Sequence, residues 1–357
     1  MRILLIVNAS ASSVTARARV IIQHSLGADH DLTVAETSRR GHATRLALGA
    51  AADGAEVVAV LGGDGTLNEA ANGLAGTTTA LGVLPGGSTN VFARTIGMAN
   101  DPLLATTQLL AALARQPEGH DGIDAQTSAG PGPGPFPGGI RSVSLGNVNG
   151  RYFLFHVGFG FDAAVVAEVE KRSFLKRHFG AIVFVGAAIG VWNRYDRRSP
   201  WFKVESAGIA PSEGYFAVCL KTSPYTFLGD ARLDVAPGTG LDTRLSLLVC
   251  EKLTLPTMLS LIASSMTRKT EPVTASPPPD PLPRRRDPGR RWMPWLDAPR
   301  ARLSRQILEV EVTGYRPVPY QVDGDYLGEI EQLTIRCVPD ALRLVVPRQA
   351  TVPSPSM

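Results

Sequence analysis

Residues 61–72 read Leu-Gly-Gly-Asp-Gly-Thr-Leu-Asn-Glu-Ala-Ala-Asn. The run before them, Glu56-Val57-Val58-Ala59-Val60-Leu61, is apolar and β-branched, the composition of a buried strand. The run after, Glu69-Ala70-Ala71-Asn72-Gly73-Leu74, has helical composition, and Thr66 and Asn68 are available to cap it. Gly62, Gly63 and Gly65 between them are expected to free the backbone for positive φ and to keep side chains away from a bulky anion. Strand, glycine turn and helix N-terminus together make a phosphate cradle, with N–H groups and the positive end of the helix dipole facing the ligand.

A second unit of the same kind follows. Ala80-Leu81-Gly82-Val83-Leu84 reads as a strand, Pro85-Gly86-Gly87-Ser88-Thr89-Asn90 as a loop, and Val91-Phe92-Ala93-Arg94 as the start of a helix. Two such units in tandem predict right-handed parallel crossovers, with a ligand at the carboxyl ends of the strands. Residues 1–116 alternate strand-like and helix-like stretches (3–7, 15–25, 31–35, 42–51, 57–61), the pattern of a doubly wound α/β domain, taken to run over 1–125 with the two loops as its nucleotide site.

Residues 126–140 are rich in glycine and proline and read as a linker or an insertion beside the domain boundary. From 141 to 344 the texture is β-rich, with strands expected at 141–145, 152–157, 201–205, 215–220, 244–250, 307–312, 332–336 and 343–346. An irregular insertion at 274–300 carries Pro277 to Pro279, Arg284, Arg285, Arg286, Arg290, Arg291, Trp292 and Trp295. It reads either as a solvated loop or as a contact with a lipid surface, where arginine and tryptophan suit the water–lipid boundary.

The 357 residues, 44% of them hydrophobic, are enough for two domains with sizeable cores. A net charge of +4 suits anionic nucleotides or anionic lipid surfaces and singles out neither. Cys219, Cys250 and Cys337 each sit in an apolar strand-like run without metal spacing, so they read as reduced core thiols of a cytoplasmic protein. The apolar run 3–7 is too short for a secretory signal and reads as the first strand. The longest apolar stretch, 180–192, is shorter than the ~20 residues that span a bilayer; it reads as a buried helix, and membrane contact is expected to be peripheral. No Gly-x-x-x-x-Gly-Lys-Ser/Thr or Gly-x-Ser-x-Gly motif is present, which sets aside P-loop kinases and nucleophile-elbow hydrolases. Gly158-Phe159-Gly160-Phe161-Asp162-Ala163 imitates a dinucleotide fingerprint but comes too late in the chain, and its phenylalanines would crowd a pyrophosphate.

The pair Gly62–Leu74 (GGDGTLNEAANGL) and Leu84–Arg94 (LPGGSTNVFAR) resembles the diacylglycerol kinase catalytic domain family, which includes bacterial lipid kinases and sphingosine kinases. Asn8 at the end of the first strand, the 158–163 segment, Ala236-Pro237 leading to Asp242, and Val322-Asp323-Gly324-Asp325 follow in the family's order. The resemblance implies an α/β N-terminal domain of the NAD kinase/diacylglycerol kinase type, a β-rich second domain and an active site in the cleft between them. It also implies that the C-terminal end, from about 345 to 357, returns to the first domain. The implied reaction is transfer of the γ-phosphoryl group of ATP, with Mg2+, to the hydroxyl of diacylglycerol or a related lipid.

By the same resemblance, Asn8, Gly62, Gly63, Asp64, Gly65, Thr66, Asn68, Glu69, Gly87 and Ser88 would hold the nucleotide, and Asp64 would reach the magnesium. Asp323 or Asp325 would take the hydroxyl proton, although Asp-Gly-Asp read by itself is a hairpin turn. A structural magnesium would sit on Asp242 and neighbouring carbonyls. The implied partner is a lipid at a membrane surface, reached from the cytoplasm at the inner face; no nucleic acid is implied, and a homodimer is compatible. The chain departs from the family with Val91 for a common Asp, Ser88 for Thr, Asp242-Thr243 for Asp-Gly, and His156 for a frequent Asn. NAD kinases also carry a GGDGT loop, but Asn68-Glu69 and the 85–94 motif favour the lipid branch. A nucleotide-binding regulatory protein with weakened catalysis is the third reading, motivated by Val91 and Ser88.

Overall fold

The computed structural model describes residues 1–8, 14–114, 139–171, 186–267 and 301–348, and every structural statement below concerns these. The insertion 274–300 and all but the last two residues of the expected linker 126–140 lie outside them.

In the N-terminal half, β1 (Arg2–Asn8), β2 (Asp31–Thr37), β3 (Val57–Gly62) and β4 (Ala80–Pro85) are parallel in the order β4-β3-β1-β2. Strands β3 and β4 are buried throughout, as expected of strands covered by helices on both faces. Those helices are α1 (Ala16–Gly27), α2 (His42–Ala52), α3 (Asp64–Leu74), the short α4 (Val91–Thr95) and α5 (Pro102–Leu113). Thr15 caps α1 through a 3.1 Å bond from the Ala18 amide, and Asp101 caps α5, whose first residue is proline. Helices α1 and α5 pack together, as do α2 and α3. The second pairing depends on Gly73, because a Cβ there would lie 2.4 Å from the Thr44 carbonyl oxygen.

The C-terminal half contains β5 (Gly139–Val148), β6 (Arg151–Phe153), β7 (His156–Gly160), α6 (Phe161–Lys171) and a helix over 186–194, α7. Then come β8 (Phe202–Ser206), β9 (Ile209–Gly214), β10 (Phe216–Leu220), the β11–β12 hairpin (Thr226–Leu228, Ala231–Leu233), β13 (Leu245–Cys250) and α8 (Leu255–Thr267). Strands β14 (Ala301–Ile307), β15 (Glu309–Val322) and β16 (Asp325–Val346) close the fold. This is an α/β N-terminal unit followed by a β-rich region.

One long strand joins the halves. Over its 22 residues β16 pairs antiparallel with β15 and β5, and near its end Arg343 and Leu344 pair in parallel with Ala80 and Leu81 of β4. Ala341, Leu342 and residues 344–346 pack in the same core as Ile3, Leu5, Val58 and Leu84. A second core gathers Phe153, Phe159, Phe202, Val310 and Ile335, and a third packs α6, α7 and α8 around Phe161 and Phe216.

Three expectations change. The strand expected at 152–157 is split at Leu154-Phe155 into β6 and β7, for a reason given by the site. The two strands expected at 332–336 and 343–346 are both part of β16. Helix α7 is only half covered, with Ala187 and Val191 buried but Ile189 59% exposed. All three cysteines are free; Cys219 and Cys250 are buried, and Cys337 is partly so. No helix among the described residues is long and apolar enough to cross a membrane.

Candidate active site

The first glycine motif is more helical than its composition suggests. Helix α3 begins at Asp64, so Asp64, Gly65 and Thr66 form its first turn, and the cap is Gly63 instead of Thr66 or Asn68. Gly63 has no side chain with which to satisfy the first amides, and no side chain caps this helix, which leaves the end of α3 suited to an anion. None of Gly62, Gly63 and Gly65 has a positive φ; that of Gly63 is −85°.

The glycines serve close approach instead. The Gly86 amide donates to the Gly62 carbonyl at 2.8 Å, and a Cβ on Gly87 would lie 2.8 Å from the Gly63 Cα. The two loops therefore touch backbone to backbone. The left-handed residue is Asn90, at φ 49°, whose Oδ1 accepts from the Gly87 amide at 2.8 Å and whose Nδ2 donates to the Gly87 carbonyl at 2.9 Å.

Asp64 links the loops. Its carboxylate accepts from the amides of Val91 at 2.9 Å and Phe92 at 3.1 Å, so the first loop holds the first turn of α4. Asn8 donates to Thr66 Oγ1 at 2.9 Å, bringing the end of β1 to the same point. Ser88 is exposed at the tip of the second loop. Glu69 is engaged elsewhere: its carboxylate accepts from Gly41 at 2.7 Å and Ala43 at 3.2 Å, capping α2. Asn68 is buried and reaches across to the other half, donating to Asp323 Oδ2 at 2.8 Å and to the Tyr152 carbonyl at 3.0 Å, while its Oδ1 accepts from Arg151 at 2.8 Å.

The Asp-Gly-Asp segment is both a hairpin turn and part of the site. Asp323 (φ 48°) and Gly324 (φ 82°) form the tight turn between β15 and β16, with Val322 paired to Asp325. This turn sends the two carboxylates to different places. Asp323 is buried and accepts four N–H bonds: Phe155 and His156 amides at Oδ1, both at 3.0 Å, and the Leu154 amide at 2.7 Å with Asn68 at Oδ2. These amides turn inward to meet it, which is why the strand breaks at Leu154-Phe155. Burial pushes the Asp323 carboxyl up to about 6, against the opposing pull of those four donors.

Asp325 lies at the mouth, its side chain 29% exposed, with Arg40 at 3.2 Å and Arg151 at 3.9 Å. The bare face of Gly65 is turned toward it; a Cβ there would stand 3.5 Å from either carboxylate oxygen. Asp325 is thus the acid that meets the glycine loops, and Asp323 is the acid that holds the turn.

Behind the turn lies a buried polar group. Asp162 accepts from the Tyr225 hydroxyl at 2.6 Å and from Gln321 at 3.0 Å, and burial raises its carboxyl. A Cβ at Gly158 would lie 1.8 Å from Asp162 Oδ2, so the 158–163 motif is a fold requirement and not a pyrophosphate site. His156 meets Phe155 edge-on and Tyr225 at a tilt; its Nδ1 has no hydrogen-bond partner, and burial pushes the imidazole down to about 3.

The expected metal position at Asp242 holds other cations. Asp242 pairs with Arg141 at 2.6 Å, and the Lys221 ammonium donates to the carbonyls of Gly240 (2.9 Å), Leu241 (3.0 Å) and Thr243 (2.7 Å). Burial pulls that ammonium down to about 8, so it stays charged at neutral pH. Among the described residues no group of three or more His, Cys, Asp or Glu is placed to hold a metal ion. A catalytic magnesium fits here only as an ion carried on nucleotide phosphates, since magnesium keeps several waters and needs just one or two carboxylates.

Arg40, Arg151, Asn90 and Lys221 were not singled out from sequence. Asn90 carried a signal, as an Asn closing a Gly-Gly-Ser-Thr loop; the other three carried none, because their partners are distant in the chain.

Adjoining glycine loops at the carboxyl ends of β3 and β4, facing a carboxylate from a β-rich region, define the class as an α/β protein with an open helix end beside two touching loops. Residues 2–118 match the family model described as "Diacylglycerol kinase catalytic domain". The chain is 28% identical over 166 residues to a protein named "Diacylglycerol kinase" of Bacillus subtilis, covering 46% of each chain. It is 31% identical over 171 residues to one named "Probable lipid kinase YegS-like" of Pseudomonas aeruginosa, covering 47% and 46%. These alignments span about half the length of the curated relatives. The fold is similar to the crystal structure of a diacylglycerol kinase from Bacillus anthracis, with a TM-score of 0.63 and 16% identity over 97% of this chain and 96% of that one.

Proposed function

We propose that this protein is an ATP-dependent lipid kinase that transfers the γ-phosphoryl group to the hydroxyl of diacylglycerol or a related lipid. The observation that carries the reading is the juxtaposition of Asp325, from the β-rich half, with Gly65 in the first turn of α3. The open end of α3 and the second loop bind the nucleotide phosphates, and Asp64 keeps the two loops in register. Asp325 accepts the hydroxyl proton as the lipid oxygen attacks the γ-phosphorus. Arg40 and Arg151, beside that carboxylate, offer positive charge to the phosphoryl group in transit. Magnesium, when bound with ATP, would neutralise phosphate charge, with Asp64 and Asp325 the carboxylates at hand. Asn68, Glu69 and Asp323 support the site from behind and do not contact the substrate.

A lipid acceptor requires reversible docking at a bilayer surface. The stretch 284–295, the candidate from sequence, lies outside the described residues.

The test is radiolabelled ATP with magnesium and vesicles of a total lipid extract, run on wild type and Asp325→Asn, with the labelled product identified. A labelled lipid that is lost in the variant supports the reading. Label on NAD in a parallel reaction points to an NAD kinase activity, and ATP binding without transfer to any acceptor points to a regulatory protein.

A further inference from the structure

The turn 238–244 has the form of a cation site. Three of its carbonyl oxygens, those of Gly240, Leu241 and Thr243, converge on one point, and the Asp242 carboxylate lies beside them. The turn is braced internally: the Gly240 amide donates to Thr243 Oγ1 at 2.9 Å and the Thr243 amide to the Gly240 carbonyl at 3.1 Å. At the point of convergence sits the ammonium of Lys221, a fully buried side chain. An ammonium has three N–H donors, and here each has a carbonyl within 3.0 Å. The carboxylate next to it is also taken, by Arg141 at 2.6 Å.

A divalent ion does not fit this donor set. It would have to share the carbonyls with a fixed positive charge and draw Asp242 away from another. The structural magnesium implied by the family resemblance is therefore at odds with the residues present.

We propose that Lys221 is an internal cation that replaces the structural magnesium, so that this part of the protein is built without a divalent metal. The position gives it a further task. The Lys221 amide donates to the Phe155 carbonyl at 2.8 Å, and the amides of 154–156 hold Asp323 at the base of the acidic hairpin. One residue thus ties the 238–244 turn to the strand break that positions the hairpin. Leu241, in the same turn, packs in the first core, so the tie reaches the N-terminal half as well.

The inference is independent of the kinase reading, because its test reads stability and metal content without nucleotide or lipid. Thermal unfolding of the purified wild type should give the same midpoint in EDTA and in millimolar magnesium chloride, and elemental analysis should find no stoichiometric divalent metal. Lys221→Met removes the charge and leaves three carbonyls facing an apolar chain; its midpoint should fall by several degrees in both solutions. Lys221→Ala leaves room beside the carbonyls, so magnesium or calcium chloride should recover part of its loss, on the order of 5 °C. Should neither variant fold, Asp242→Asn gives the independent reading: its midpoint should be equal with and without magnesium. A wild-type midpoint that drops several degrees on chelation, or one bound divalent ion per chain, overturns the proposal. So does a Lys221→Met protein as stable as wild type.

Discussion

The Asn68 amide nitrogen lies 2.8 Å from Oδ2 of Asp323, across 255 residues of chain. One partner is in the first helix after the glycine loop and the other in the turn of the last hairpin, so this bond, with those to Tyr152, holds the glycine loops against the β-rich half. Asn68 also donates to Tyr152 and accepts from Arg151, whose guanidinium is 3.9 Å from Asp325. The position of the proposed base therefore depends on a buried amide of the other half.

Asp325→Asn should leave the fold alone and disable the chemistry. Its ion pairs are partly exposed and contribute little to stability. Loss of the proton acceptor should lower kcat ~100-fold or more, with nucleotide affinity nearly unchanged. Single-turnover kinetics beside ATP titration would check this, and a kcat within threefold of wild type removes Asp325 from the proposed role.

Asp323→Ala should do the opposite kind of damage. It strands buried amides of residues 154–156 and the Asn68 amide, a loss of roughly 3–5 kcal/mol. Urea unfolding would measure it. Asn68→Ala should cost less, and a double-mutant cycle between the two should show strong coupling; additive effects would mean that the bond does not join the halves.

Gly87→Ala should weaken ATP binding through the loops themselves. The new Cβ would stand 2.8 Å from the Gly63 Cα, and two backbones cannot both yield without opening the cradle. Asp64→Ala should separate the same loops by releasing Val91 and Phe92, with transfer falling ~100-fold or more. Isothermal titration with ATP is the measurement for Gly87→Ala; unaltered affinity there would show that the contact between the loops has no bearing on the nucleotide.

The buried imidazole of His156 gives a pH dependence of stability. Burial depresses its folded pKa to about 3, below the ordinary value near 6.5. The unfolded chain then binds more protons between those limits, so stability is lost as pH falls from 6.5 toward 3. The loss should be about 2 kcal/mol between pH 6.5 and 5. His156→Asn should flatten that part of the profile, whatever it does to stability at neutral pH. Urea curves at pH 7 and 5 would show it, and equal slopes for both proteins would exclude His156 as the source.

The local periods and the turn residues are legible in the amino-acid order. Short apolar runs closed by Asn8, by Gly62 and by Pro85-Gly86 marked β1, β3 and β4 within a residue or two, because runs of that length between turn residues suit strands buried on both faces. The sequence also marked the hairpin at 323–325, since Asp-Gly is the chemistry of a tight turn. What each polar group does follows from long-range packing. Asp323 and Asp325 are two residues apart and chemically alike, yet one is enclosed by four donors and the other faces Gly65, a difference made by strands from other parts of the chain. Glu69 and Asn68 sit in the motif that reads as nucleotide-binding, but hydrogen bonds to residues 28 and 255 positions away engage them in structure. The glycines were legible as glycines; that they let one backbone lie against another, with no positive φ, depended on the second loop being brought alongside. Lys221 had no signal at all, because a lysine in an apolar run becomes a cation site only when three carbonyls from 20 residues onward close around it. Local propensity acts over a few residues, whereas burial and pairing are properties of the assembled chain.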